Sequence, residues 1–213
     1  VRSSITHASA DRRFKMSFTG GYGIQDNKQP STDLTTEAWR LAPNAPALYD
    51  AEGNLNWENN TFENPLRYLE GLSQSNTHDL VANTTLSYSL FDNIEMKSSF
   101  GYTDLNHHES STFPSTLYNP AEGVGSEVSN IYYTDTARQS WIVEPQINWS
   151  PVIGSLRTAV LIGSTFQSQN NKSLSMDGYG FSSNSMIYNP AAATNLSILG
   201  FDESVYKYQS FFS

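Results

Sequence analysis

The feature that most constrains this sequence is an alternation of apolar and polar residues with period two, recurring in runs of roughly eleven residues. From Phe14 to Ile24, one parity carries Phe14, Met16, Phe18, Gly20, Tyr22 and Ile24, and the other carries Lys15, Ser17, Thr19, Gly21 and Gly23. The split returns from Leu80 to Leu90, from Ile94 to Tyr102, from Trp141 to Trp149 and from Leu156 to Phe166. A further strand is expected to begin near Val205. Successive side chains of a strand point to opposite sides of a sheet, so each run predicts a strand with one apolar face. No residue of the apolar parity is charged, whereas Lys15, Glu95, Lys97, Glu144 and Arg157 all fall on the other.

The links between the runs alternate in length. Phe91-Asp92-Asn93 and the segment from Ser150 to Ser155 join neighbours closely, while Gln25 to Asn76, Asn106 to Thr136 and Gln167 to Asp202 are long. Long strands joined in turn by tight turns and extended loops are the pattern of a transmembrane β-barrel, with short periplasmic turns and long external loops. The expected fold is therefore all-β, about six strands of a large antiparallel barrel. On that reading Lys15, Glu95, Lys97, Glu144 and Arg157 face the lumen. Trp141 and Trp149 share a face and lie about 26 Å apart along a strand, roughly 20 Å of depth after a tilt near 40°. They are placed in the two interfacial girdles, with Tyr88 and Phe91 beside Trp149 and Tyr102 beside Trp141. Two readings compete: a secreted β-sandwich or carbohydrate-binding module, whose core would also exclude charge, and a non-transporting outer-membrane barrel. The sandwich requires a second sheet packed on the apolar faces.

Composition narrows the function. With 21 acidic against 12 basic residues the net charge is −9, which disfavours a nucleic-acid partner. Charged residues amount to 15% and there is no cysteine, which removes disulfides and thiolate chemistry together. Asp50-Ala-Glu-Gly-Asn-Leu-Asn56 has oxygen groups at alternate positions, but its glycine is misplaced for a calcium loop and it reads as a solvated turn. His107 and His108 are adjacent and would point to opposite faces of a strand, so no metal or other cofactor is expected. No Gly-x-Ser-x-Gly elbow or placed carboxylate pair indicates an enzyme. Thr32-Asp33 before Leu34, Ala38, Trp39 and Leu41 predicts a short capped helix ending at Pro43. Pro145 interrupts a strand pattern and predicts a bulge next to Glu144.

Three strings resemble a known family. The segment from Pro43 through Tyr49-Asp-Ala-Glu-Gly-Asn-Leu-Asn-Trp57, followed by Asn64-Pro-Leu66, is similar to the first large external loop of SusC/RagA-like TonB-linked outer-membrane transporters. Trp141-Ile-Val-Glu-Pro-Gln-Ile-Asn-Trp149 and the hairpin from Leu86 to Phe100-Gly-Tyr102 also resemble that family. The resemblance implies that residues 1–213 are part of a 22-stranded, plugged barrel in the cell outer membrane, with the plug and TonB box outside the chain. It further implies import of oligosaccharides or peptides, coupling to the TonB complex, contact with outer-membrane lipid, and a SusD-like surface lipoprotein as partner. Candidate ligand contacts are the aromatics assigned to external loops, Tyr49, Trp57, Tyr118, Tyr132 and Tyr133.

Overall fold

The computed structural model describes residues 1–213, the side chain of Ile153 excepted. The strands are β1 (Arg2–Ala8), β2 (Phe14–Pro30), β3 (Leu72–Phe91), β4 (Ile94–Phe113), β5 (Asn130–Trp149), β6 (Val152–Ile153), β7 (Leu156–Arg157), β8 (Val160–Tyr179) and β9 (Asn195–Phe212). Seven of them form one antiparallel sheet in the order β1-β2-β3-β4-β5-β8-β9, and β6 and β7 make a separate small hairpin. Every strand of the sheet pairs with its neighbour in sequence apart from that hairpin. The connections at one end are short, namely 9–13, 92–93 and 150–159. At the other end they are long, namely 31–71, 114–129 and 180–194.

The register aligns the apolar residues from β2 through β8. Phe14 pairs with Tyr88, Tyr88 with Met96, Met96 with Ile147 and Ile147 with Ile162. Three rows higher on the same face, Tyr102 pairs with Trp141. Nothing packs on this face: Tyr102, Trp141 and Ile147 remain 41%, 46% and 45% exposed. Among the described residues no second sheet packs on the apolar faces as a sandwich demands, because all long strands lie in one sheet with its apolar side uncovered. The buried apolar cluster lies instead under the long loops, where Phe181 and Ile187 close over Ile131 with Ala192 and Ala193 packed against them.

The strands run well past the alternating segments. β3, β4, β5 and β8 each contain 20 residues, about 66 Å of extended chain, whereas an apolar belt needs only about 25 Å. Towards the long loops the apolar face turns polar: Asp26 pairs with Asn76, Asn76 with His108 and His108 with Asp135. His108 Nδ1 meets the Asp135 carboxylate there, Lys172 meets Glu203 at 2.9 Å, and the Tyr22 hydroxyl hydrogen-bonds His78 Nδ1 at 2.8 Å. With hydrophilic side chains on both faces, these upper halves carry no alternation that sequence reading can detect. The strand expected near Val205 begins at Asn195, because an extra residue in its upper half breaks the parity of Leu196, Ile198 and Phe201, and β1, whose seven residues are all exposed, carries no apolar alternation to betray it.

Three expectations are corrected. Leu156–Arg157 belongs to the small hairpin at the short-turn end, so Arg157 is not on the wall. Tyr132 and Tyr133 are not loop residues but lie within β5. No bulge marks Pro145: Val143 pairs with Phe166 and Gln146 with Gly163, leaving two residues on each strand between them and the register unchanged. Proline has no N–H to give, and its strand still pairs on the other side, Ser98 with Pro145. Register shifts occur instead between Ser89 and Phe91 and between Ser175 and Met176. The first turns Phe91 onto the apolar face, opposite Ile94.

Candidate functional site

The three long loops are built from the same local device. Asn64, Asn119 and Asn189 each precede a proline and accept a hydrogen bond from the N–H two residues on, starting a short 3-10 turn. Asparagine caps such a turn with its side-chain oxygen, and proline supplies the fixed φ without wasting a donor. Two of these turns sit in a repeated string, Ser115-Thr-Leu-Tyr-Asn-Pro-Ala121 and Ser185-Met-Ile-Tyr-Asn-Pro-Ala191. That repeat was open to sequence reading as an internal self-similarity and was missed.

Buried amides then join the loops to one another. Asn64, fully buried, donates to the carbonyls of Leu48 at 2.6 Å and Asn56 at 3.0 Å, closing the first loop on itself. Asn119 donates to Asn60 Oδ1 at 2.8 Å, and the Thr116 hydroxyl donates to Glu70 Oε2 at 3.2 Å, tying the second loop to the first. Asn184 of the third loop accepts from the Ser129 hydroxyl at 2.6 Å and donates to Ser115 Oγ at 3.0 Å. The helix expected after Thr32-Asp33 is present as α1 (Thr35–Arg40), with the Thr35 N–H held by Asp33 at 2.8 Å.

Between the first two loops lies a cleft of about 650 Å³ whose lining includes Asp50, Trp57, Glu70, Thr116, Tyr118 and Asn119. Trp57 and Tyr118 are thus brought together, and Tyr49 sits at the neighbouring turn, bridged to Leu55. Asp50 anchors that turn by accepting from the N–H groups of Asn54 at 2.7 Å and Glu52 at 3.0 Å. The Asn54 N–H is the main cause that holds its carboxyl below the ordinary carboxylate range. Tyr132 and Tyr133 join no common site, because neighbours in a strand point to opposite faces. Tyr132 stacks edge-on with Phe113, with centroids 6.0 Å apart, while Tyr133 is on the other side with Asp135.

Of the charged residues assigned to the wall, Lys15 and Lys97 share one cross-strand row of the polar face through Ser87, and the uncharged Gln146 continues it. Glu95 pairs with Asn148, and Glu144 with Ser99, on the same face, where the Thr165 hydroxyl donates to Glu144 at 3.2 Å. The aromatics assigned to girdles all lie on the apolar face. Phe91 and Trp149 meet through Ile94 at the short-turn end, with Tyr88 one row in, and Tyr102 pairs with Trp141 at the other border.

No family model matches the chain. Its sequence is 25% identical over 190 residues to "TonB-dependent receptor P3" of Formosa agariphila, an alignment covering 83% of this chain. Its fold superposes on the RagAB peptide transporter with a TM-score of 0.71 at 12% identity, over 99% of this chain. The RagAB peptide importer in its open-open state gives a TM-score of 0.70 at 16% identity. The fold is that of a segment of a SusC/RagA-like TonB-dependent barrel. The chain spans 18% of the length of the receptor and 25% of the transporter chain, which is why one open sheet suffices to match. The place of such a SusC/RagA-like segment is the cell outer membrane. The proteins it matches are a receptor and transporters rather than enzymes.

Proposed function

We propose that the chain forms wall and entrance of a TonB-dependent importer of oligosaccharides or peptides, working with a SusD-like surface lipoprotein. The observation that carries this reading is the in-register apolar band, bordered by Tyr102 and Trp141 on one side and by Phe91 and Trp149 on the other. An uncovered apolar face of this extent is unsuited to water and suited to lipid, and a barrel closes the two unpaired edges, β1 and β9, with further strands. The short turns 9–13, 92–93 and 150–159 then face the periplasm and the three laterally bonded loops face outward. Lys15, Glu95, Lys97 and Glu144 line the lumen on this reading, and the Trp57–Tyr118 cleft offers an incoming ligand aromatic surface beside carboxylates and amides. Plug, TonB box and energy coupling are assigned to parts of the protein other than this segment.

The test is fractionation of cells making the full-length protein, combined with protease added outside. Extraction that needs detergent, with cleavage confined to 31–71, 114–129 or 180–194 in intact cells, is the expected result. Recovery in the soluble fraction, or cleavage of intact cells at 92–93, would remove the barrel or its sidedness respectively.

A further inference from the structure

We infer that the turn Glu58–Asn60 is a strained latch, which holds Trp57 in the cleft only while the first two loops stay bonded; the inference needs the cleft alone and not the importer reading. Glu58, Asn59 and Asn60 all have positive φ, at 43°, 53° and 69°. Asn59, with ψ at 41°, lies in the left-handed helical region. The N–H groups of Asn60 and Thr61 close the turn on the carbonyls of Trp57 at 2.9 Å and Glu58 at 3.2 Å. Three consecutive residues with this backbone are unfavourable, because each Cβ crowds the carbonyl oxygen that follows it. Asparagine bears the conformation best, since its short amide bonds locally, and glutamate has no such allowance, so the strain concentrates at Glu58.

No packing imposes this path, for all three residues are exposed while Trp57 beside them is half-buried. The turn is held at its ends instead. On one side Asn56 Oδ1 accepts from the Glu58 N–H at 2.9 Å, and the Asn56 carbonyl is itself fixed by buried Asn64 at 3.0 Å. On the other, Asn60 Oδ1 accepts from Asn119 Nδ2 at 2.8 Å, and Asn119 is buried in the second loop next to Tyr118. The two anchors differ in kind. Asn64 belongs to the first loop and travels with it, whereas Asn119 belongs to the second and leaves when the loops part. Strained backbone persists only where its surroundings over-determine it. Once Asn119 withdraws, the chain after Trp57 relaxes to a right-handed or extended path and turns the indole away from Tyr118. Parting of the loops therefore dismantles the aromatic lining of the cleft rather than merely widening it.

The experiment follows Trp57 by fluorine NMR in the full-length protein labelled with 5-fluorotryptophan, the signal being assigned by its loss in Trp57→Phe. Asn119→Ser keeps the cap on the Ala121 N–H, because serine caps as well as asparagine, but it is too short to reach Asn60. It is expected to lower the ratio of latched to released Trp57 about fivefold, the weight of one hydrogen bond, read by saturation transfer from a second Trp57 signal. Adding Glu58→Gly is expected to raise the ratio about tenfold, the penalty that glycine escapes, and so to restore the latched signal. Asn59→Gly in the same background restores less, because asparagine already tolerates the conformation. The amount of folded barrel, read from heat-dependent gel mobility, is expected to match in all the variants. An unmoved Trp57 signal in Asn119→Ser overturns the coupling between the loops. A released signal that grows when Glu58→Gly is added overturns the strain, since glycine in an unstrained turn only loosens it.

Discussion

Replacing Ser98 with arginine is the sharpest probe of the band. Ser98 lies on the apolar face of β4, midway between Ile94 and Tyr102, and is flanked in its row by Leu86 and Pro145. Each border is about 13 Å away along the strand, roughly 10 Å of depth, so the guanidinium cannot reach an interface without bending the strand or thinning the bilayer. A cation at that depth costs about 2–4 kcal/mol, and a loss of about 3 lowers the folded-to-unfolded ratio on the order of 150-fold. Ser99→Arg, one residue on, points to the polar face beside Glu144 and is expected within about 0.5 kcal/mol of the unmodified protein. Asn106→Arg shares the face of Ser98 but sits among Ala137 and His78, above the band, and is expected to cost about 0–1 kcal/mol. The assay is urea-dependent folding of the full-length barrel into lipid vesicles, followed by gel mobility. Ser99→Arg proving worse than Ser98→Arg would refute the assignment of faces, and equal losses at Ser98 and Asn106 would refute the borders.

Other expectations concern the loops. Asn64→Ala strips the Leu48 and Asn56 carbonyls and the Leu66 N–H of their partner, costing about 2–3 kcal/mol locally, and should speed proteolysis within 31–71. Ser115→Ala and Asn184→Ala, which touch each other across two loops, should show a coupling of about 0.5–3 kcal/mol in a double-mutant cycle scored by the same proteolysis, and additivity would mean that the loops are not joined. Gly71→Ala would drive a methyl into Ser31 Oγ and to 3.0 Å from the Thr112 carbonyl. The accompanying Ser31→Gly should relieve only part of the loss in thermal stability, because the carbonyl remains. The carboxyl of Asp50 is depressed in the folded state, so the stabilisation that it gives its turn is present above the usual carboxylate range and lost as pH falls through the lowered value. Pepsin cleavage near Asp50–Asn54 should therefore rise steeply only in strong acid, and Asp50→Asn should flatten that dependence.

What was legible in the sequence followed from side-specific burial. Phe14, Tyr88, Met96 and Ile147 announce their face because lipid and lumen demand opposite chemistry of alternate residues. Asp26, Asn76, His108 and Asp135 announce nothing, since water on both sides accepts polar residues at either parity, so the pattern ends well before the strands do. Tyr132 and Tyr133 were misplaced by that error, and Arg157 by extending β8 back through a turn that folds as its own hairpin. Trp57 and Tyr118 meet only because Asn60, Asn119, Glu70 and Thr116 bond across loops, a relation that no local pattern encodes. In β9 Val205 and Phe211 keep the apolar face while Tyr206 and Tyr208 take the polar one, a mixture from which no single parity can be read.

The division of each long strand into a one-sided half and a two-sided half also sets where the chain can tolerate change in length. A slip of one residue in the lower half would turn Phe100, Val143 and Phe166 inward together and send Ser99, Glu144 and Thr165 to the lipid, so that half works as a ruler. The upper half has no such penalty, and β9 already carries an extra residue there, Leu199, without disturbing its pairing below. Lineages of such barrels should therefore gain and lose single residues between the band and the loops, reshaping the mouth, while the buried half keeps its count.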